Sequence, residues 1–519
     1  MAIRQLDFVV PLDQGFSELL ASFQNNFYVK VQAETANYRV FYDTFDWRLH
    51  NNGSVLEVHE EGESRRIYWR AEKGGDLKIQ LGLGQVPQLA SDLAESEFRR
   101  QLQSVISVRE LIPRIRIKIK HLPLVVLDKN KKVVVRISLD EYWYFPSKAR
   151  AGAVLCKRIT IKPVKAYENE FNQVIEFLNP LQLSEAQNSI MKLALAESGI
   201  NTTEYSNKLD LILDAEIPAE QALKEILLRL LDIMQLNSAG SIRGRDTEFM
   251  HDYRVSIRKT RSALTQINKV LPQDIISKYN KFFSGLGKLT NPVRDLDVFQ
   301  IKLESYQRNL SKAAQKHLQP LRYYIARSRA EAQKKFIHTL KSAEYRQSIK
   351  QWREYLQDPV PTSPPLENTN KSICVLADEL VWNMYQLALE EGNAITDDTE
   401  AEALHELRKT CKKLRYLMEF FQSIYPADKI CELIQALKGL QDNLGEYNDL
   451  HVHRSILKEF IQQSSDAETN EACKLVIKFL KKRQIKTRRS FADRYASFSS
   501  AGIQQDFKDL FVDSHKGHA

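Results

Sequence analysis

Cysteine is scarce and scattered in the 519-residue chain: Cys156, Cys374, Cys411, Cys431 and Cys473, with no C-x-x-C pair among them. An odd, dispersed set excludes a disulfide framework and a paired-cysteine zinc site, and it points to a reducing compartment. Long apolar runs are missing, so no membrane span is expected. The opening stretch, MAIRQLDFVVPLDQGF, carries Asp7 and Asp13 within its apolar part and lacks a signal-peptide profile. These absences predict a cytoplasmic protein. Phosphate-cradling glycine patterns are missing too: there is no G-x-x-x-x-G-K-[ST] and no G-x-G-x-x-G after a strand. Charge is only mildly one-sided, with 75 Lys and Arg against 66 Asp and Glu, a net of +9 and a pI near 9.0. That excess fits an anionic partner without requiring one. The length suggests two or three domains with ample core.

What the chain does contain is a repeated basic pattern. His251-Asp-Tyr-Arg254-Val-Ser-Ile-Arg258-Lys259-Thr-Arg261 has a twin in His405-Glu-Leu-Arg408-Lys409-Thr-Cys-Lys412-Lys413-Leu-Arg415, and His251 to His405 is 154 residues. On a helix the offsets 0, 3, 7 and 10 fall within an arc of roughly 80°. His251, Arg254, Arg258 and Arg261 therefore share one stripe, as do His405, Arg408, Lys412 and Arg415. Ile257, Leu264 and Ile267, and Leu407, Leu414, Met418 and Phe421, take another face, so each helix has an apolar side and a cationic side. Lys409 and Lys413 lie at the edge of the stripe. Downstream, Asn291-Pro-Val-Arg294-Asp295-Leu296-Asp297-Val298 and Gly445-Glu-Tyr-Asn448-Asp449-Leu450-His451-Val452 keep the same 154-residue spacing from Asp295 to Asp449. Matching spacing over such a span is internal duplication. A solvated helix face has little reason to preserve its register twice within one chain.

The histidine-headed basic helix, its duplicate and the V-R-D-L-D-V segment resemble the CHAD domain (conserved histidine α-helical domain). The resemblance covers roughly residues 215–510. It implies a bundle of two pseudo-symmetric helical halves whose basic faces meet in a channel for inorganic polyphosphate. The residues it nominates are His251, Arg254, Arg258, Lys259, Arg261, Arg294, His405, Arg408, Lys412, Lys413, Arg415 and, more peripherally, Lys438. A polyphosphate chain offers a line of phosphates and no bases, a ligand for repeated cations on rigid supports. Asp295, Asp297 and Asp449 are expected to cap helices or orient the arginines. The spacing of His451 and His453 is read as chance.

Residues 1–165 read as β-rich. Arg114-Ile-Arg116-Ile-Lys118-Ile-Lys120 alternates, with four cations on one face and three isoleucines on the other. Val133–Asp140 and Lys157–Lys162 read similarly, with Gly74, Gly75, Gly82, Gly84 and Pro87 as turn markers. Phe41-Tyr42-Asp43-Thr44-Phe-Asp46-Trp-Arg-Leu49, followed by Gly53-Ser-Val-Leu56-Glu57-Val58-His59, resembles the opening of a CYTH domain, the triphosphate tunnel family, which often precedes a CHAD domain. That resemblance implies an antiparallel barrel with a phosphate-binding lumen. The family's enzymes carry E-x-E-x-K on the first strand to hold a divalent metal, and here the strand reads Ile3-Arg4-Gln5-Leu6-Asp7-Phe8-Val9. Its basic pair after the glycine is replaced by Glu57 and His59. Arg70, Arg114, Arg116, Lys118 and Asp140 remain, so the expectation is a non-catalytic barrel without metal or other cofactor.

The expected architecture is α+β and multidomain: an antiparallel, barrel-like tunnel-type domain over 1–200, a linker over 201–217, and an all-α bundle of two pseudo-symmetric repeats over 218–510. Within the bundle, repeat one spans 218–355 and repeat two 369–510. The Pro-rich connection 356–368, which includes Pro359, Pro361, Pro364 and Pro365, lies between them. Each half is expected to end in a basic helix, around Arg327–Lys335 and Lys481–Arg489. The expected partner is inorganic polyphosphate, with association to polyphosphate granules, no membrane and no set oligomeric state. Two alternatives stay open. One is a triphosphate or polyphosphate hydrolase using the N-terminal domain. The other is a non-specific nucleic-acid binder, disfavoured because base stacking wants aromatics among the cations and only Tyr416 nears the stripe, Tyr253 falling on the apolar side.

Overall fold

A computed structural model describes residues 5–513, apart from 63, 72–76, 84, 146–151, 204, 206–208, 359–362 and 397. Two compact units divide after Tyr205.

The first unit is a sheet of β1 (Leu6–Val10), β2 (Val29–Val31), β3 (Thr35–Asp43), β4 (Ser54–Glu61), β5 (Ser64–Ala71), β6 (Leu77–Leu83), β7 (Ile112–Leu127), β8 (Val133–Tyr144), β9 (Ala153–Pro163) and β10 (Ser184–Glu185). The helices α1 (Phe16–Asn26), α2 (Arg48–Asn51), α3 (Glu97–Ile106), α4 (Glu168–Leu178) and α5 (Ile190–Ser198) complete it. The strands pair antiparallel in the order β10-β1-β9-β8-β7-β3-β4-β5-β6, with β2 on β7. The alternation in β7 sends Ile115, Ile117 and Ile119 inward, against Phe41, Tyr142 and the Ile190, Met191 and Ala194 face of α5. The other face of β7–β9 packs Leu124, Val135, Ile137 and Ile159 under Leu19 and Phe23 of α1 and Val174 of α4. Gly82, expected in a turn, pairs with Arg66 inside the β5–β6 ladder. Gly74, Gly75 and Gly84 lie outside the described residues.

The second unit is helical: α6 (Ala219–Arg243), α7 (Thr247–Gln266), α8 (Gln273–Gln307), α9 (Lys312–Lys316), α10 (Gln319–Lys341), α11 (Ala343–Gln357), α12 (Ile373–Asn393), α13 (Ala401–Phe421), α14 (Ala427–Gln463), α15 (Ala467–Arg489), α16 (Phe491–Phe498) and α17 (Ala501–Phe511). Helices α6, α7 and α8 begin at 219, 247 and 273, and α12, α13 and α14 begin 154 residues later at 373, 401 and 427. The duplication is thus structural as well as textual. The basic helices α10 and α15 do not end their halves, because α11 follows one and α16 and α17 follow the other. Leu209 and Leu213, within the stretch expected to be a linker, are buried in the helical core. Leu213 N–H also donates to the Ser423 hydroxyl at 3.0 Å. Of the Pro-rich connection, 359–362 lies outside the described residues. Among those described, no helix is long and apolar enough to cross a membrane.

Backbone hydrogen bonds locate the pseudo-two-fold axis. Ala219 N–H donates to Lys371 O at 2.9 Å, and its image 154 residues on, Ile373 N–H, donates to Ile217 O at 3.0 Å. Glu220 to Thr369 (3.2 Å) and Cys374 to Ala215 (3.1 Å) form a second such pair. Farther along, Phe299 stacks on its own counterpart, His453, with centroids 4.9 Å apart. Burial pushes that imidazole down to about 4, so it is neutral at physiological pH, and its Nδ1 lies 2.9 Å from the Tyr306 hydroxyl. His453 is therefore a core residue.

The close approach of α6 and α7 depends on Gly240. A Cβ there would meet the buried Phe249 ring at 2.2 Å, whereas one at Gly285 meets nothing within 4 Å. Alanine gains up to about 1 kcal/mol in helix propensity over glycine. At Gly240 overpacking of about 1–3 kcal/mol outweighs that gain. Thermal unfolding should show Gly240→Ala destabilising the helical unit and Gly285→Ala stabilising it slightly.

Candidate anion-binding site

Helices α7 and α13 pack against each other near the axis. Their apolar sides are buried as the periodicity requires, with Ile257, Leu264 and Ile267, and Leu407, Leu414, Met418 and Phe421, all nearly inaccessible. The N-terminal parts of α8 and α14 lie in the large core, with Leu286 and Val293 from one and Leu440 and Leu444 from the other. From Leu296 and Leu450 onward the same helices belong to a second core with α10 and α15. The cationic stripes fall at the level where one core gives way to the next.

Arg254, Arg258 and Arg294 of the first half meet Arg408, Lys412 and Arg415 of the second, with Asp295 and Asp449 among them. The Arg254 guanidinium donates through Nε (2.9 Å) and Nη2 (2.7 Å) to Asn291 Oδ1 on α8. Burial, then the adjacent Arg258, lowers Arg254 to about 10. Burial also lowers Arg408, Asp449 opposing and Arg258 adding. Burial raises both aspartates, against the arginines around them, and each aspartate faces charge from the opposite half. These carboxylates lie inside α8 and α14, so they cap nothing. Asp297 is held by Arg329, whose Nε donates to it at 2.6 Å. Several donors at this level are buried without a hydrogen-bond partner: Arg258 Nε, Arg294 Nη1, Arg408 Nε and the Tyr416 hydroxyl. Buried donors left unpaired are costly, and their concentration in one cationic layer suits an oxygen-rich anion.

Other nominated residues are placed differently. Lys259 is buried, and its Nζ pairs with Glu419 of the opposite half at 2.8 Å. Arg261 turns toward α8, with Nε 3.4 Å from Asn280 Oδ1. His251, His405 and Lys413 are half-buried, and Lys438 is exposed on α14. Two residues escaped the sequence reading: Asn291 orients Arg254, and Lys302 acts on Asp449. Tyr416, expected to near the stripe, has its hydroxyl buried beside Arg254 and Arg408. Asn291 and Lys302 have no polar counterpart 154 residues on, where Gly445 and Ile456 stand, so a duplication criterion could not find them.

In the first unit, strand register groups Asp7, Arg158, Asp140, Tyr142, Arg39, Glu57, His59 and Tyr68 on one face of the sheet. The cations of β7 are engaged elsewhere. Arg114 lies over the Trp47 ring at 4.0 Å, Arg116 pairs with Glu60 at 3.0 Å, and Lys120 pairs with Glu141 at 3.6 Å. Buried Glu57 is held by Arg70 at 2.5 Å and His59 at 3.4 Å. Burial pushes its carboxyl up, but His59, Arg39 and Arg70 prevail and keep it below the usual range. Asp140 accepts from Ser138 at 2.9 Å and contacts His121 at 2.5 Å. These carboxylates are matched to cations and donors, and no three His, Cys, Asp or Glu gather among the described residues. The donor set does not fit a divalent metal.

Comparison with known proteins finds several similar structures. The crystal structure of the CHAD domain from the plant Ricinus communis is 25% identical, with a TM-score of 0.48, covering 56% of this chain and 94% of its own. PptA from Streptomyces chartreusis is 14% identical, with a TM-score of 0.44, covering 54% and 99%. HpAC1 from Hippeastrum, described with a dominant triphosphatase activity, is 14% identical, with a TM-score of 0.27, covering 39% and 99%. No curated protein matches the chain. The family model of the CHAD domain matches residues 225–458. The matched segment runs from within α6 to within α14 of the helical unit.

Proposed function

We propose that the helical unit binds inorganic polyphosphate in the cationic layer where α7 and α13 meet. The observation that carries this reading is the convergence of Arg254, Arg258, Arg294, Arg408, Lys412 and Arg415 from both halves, with buried donors lacking acceptors. Guanidinium forks suit phosphate oxygens, and release of counterions from a linear polyanion drives association. A binding role in the cytoplasm, at polyphosphate granules, accords with this chemistry. The first unit enters as a scaffold, since Glu57 is held by Arg70 and His59, and Asp140 by Ser138 and His121.

Calorimetric titration with long-chain polyphosphate, at two salt concentrations and with single-stranded RNA as competitor, tests the reading. Tight binding that RNA does not displace is the expected result. Equal displacement by RNA reduces the layer to a general polyanion site. Phosphate release with magnesium or manganese in the same samples would instead make the protein a hydrolase.

Lys259 provides an internal control. Its ammonium is committed to Glu419, so Lys259→Met should destabilise the helical unit by about 1–3 kcal/mol, leaving a largely buried carboxylate with only Arg415, 3.5 Å away. Its polyphosphate affinity should change by less than about threefold, because the lost charge points at Glu419 (a surface-scale effect at most). A large loss of affinity with normal stability would return Lys259 to the binding surface.

A further inference from the structure

A two-fold axis sets like against like, because a residue close to it meets its own counterpart. Arg258 and Lys412 are such counterparts, 154 residues apart, and so are Asp295 and Asp449. Lys412 is the one cation of the six that can give up its proton at ordinary pH, since guanidinium stays charged. Its amine faces Arg254 and Arg258 on α7, Arg408 and Arg415 on its own helix, and Asp449 on α14. Arg294 and Asp295 of α8 act on the same arginines. Among the described residues, only Arg415 of these four guanidiniums has a glutamate partner, Glu419 at 3.5 Å, and the rest share Asp295 and Asp449. Cations therefore outnumber carboxylates around the amine and make an ammonium there unfavourable until an anion arrives.

We propose that polyanion binding at this axis draws one proton onto Lys412, so that the affinity of the site is proton-linked. The proposal rests on the polyphosphate reading above. The proton comes from solvent, adds to the Nζ lone pair, and leaves an ammonium paired with phosphate oxygen. Burial first, then Arg258, Arg408, Arg254 and Arg415, lowers the Lys412 amine to about 6 in the unliganded protein. Below that pH the group is charged in both states and affinity is flat. Above it only the complex carries the proton, so affinity falls by up to about tenfold per pH unit until the bound-state value is passed. Stability of the unliganded protein has the matching sign. The folded value lies below the unfolded one of about 10.4, so stability rises with pH above 6 and the penalty is complete below it.

The full chain would be titrated with long-chain polyphosphate at pH 8.5 in two buffers of different ionisation enthalpy. Histidines and terminal phosphates no longer take up protons at that pH. Uptake close to one proton per site is expected, together with about tenfold weaker binding than at pH 7.5. Both Lys412→Arg and Lys412→Met should abolish the uptake. Binding without proton uptake overturns the proposal, and so does uptake that survives Lys412→Met. If polyphosphate does not bind, the functional reading fails by itself. Thermal unfolding of the unliganded protein then decides: acidification from pH 9 to 5.5 should cost the wild type more Tm than Lys412→Met, and parallel curves overturn the role of Lys412.

Discussion

Replacing Arg254 and Arg408 together with alanine is expected to weaken polyphosphate binding by roughly 100-fold or more while leaving the fold intact. The two arginines are counterparts on α7 and α13, and both are half-buried in the same cationic layer. A charge-assisted hydrogen bond contributes about 1.5–3 kcal/mol, so losing two costs about 3–6 kcal/mol. Each neutralised phosphate also adds to the salt dependence, and the log–log slope should shrink by roughly two. Circular dichroism and unfolding should stay near wild type, because neither arginine belongs to the apolar cores. Unchanged affinity in the double variant would remove the cationic layer from the binding site.

The second large effect concerns stability. Phe299→Ala should destabilise the helical unit by about 3–5 kcal/mol, visible as a lowered Tm of its unfolding transition. Phe299 is fully buried, stacks on His453 across the pseudo-two-fold axis, and belongs to the core formed by α8, α10, α14 and α15. Truncation opens a cavity where the two halves meet. It also strips a neutral imidazole, bonded to Tyr306 on one side, of its apolar cover. Loss of less than about 1 kcal/mol would mean that the halves collapse together around the gap. Polyphosphate affinity serves as a second readout, since Phe299 lies one turn beyond Asp295 on α8.

Much of the helical unit was legible because duplication supplies an internal comparison. A period of 154 residues and the 3.6-residue helical repeat together located α7 and α13, separated their cationic and apolar sides, and tied Asp295 to Asp449. The alternation in β7 likewise predicted buried isoleucines. The same method was blind to residues present in one half alone. Asn291, Lys302 and Glu419 each act on a cation or carboxylate of the layer, yet Gly445, Ile456 and Thr265 occupy the related positions. Asp295, Asp297 and Asp449 were expected to cap helices or orient arginines; they lie well inside long helices, where they cap nothing, and Asp297 holds Arg329.

By itself the sequence determined the periodicities: which residues lie on which face, and that the helical unit consists of two related halves. Those follow from local backbone geometry, which repeats along the chain. The tertiary structure decided which charges meet. It brought Arg258 against Lys412 and Asp295 against Asp449, because a pseudo-two-fold axis juxtaposes counterparts. It gave Lys259 to Glu419, turned Arg261 onto Asn280, and matched Glu57 to Arg70. Charge pairing depends on distances of a few ångströms between segments far apart in the chain, and no local period encodes those distances.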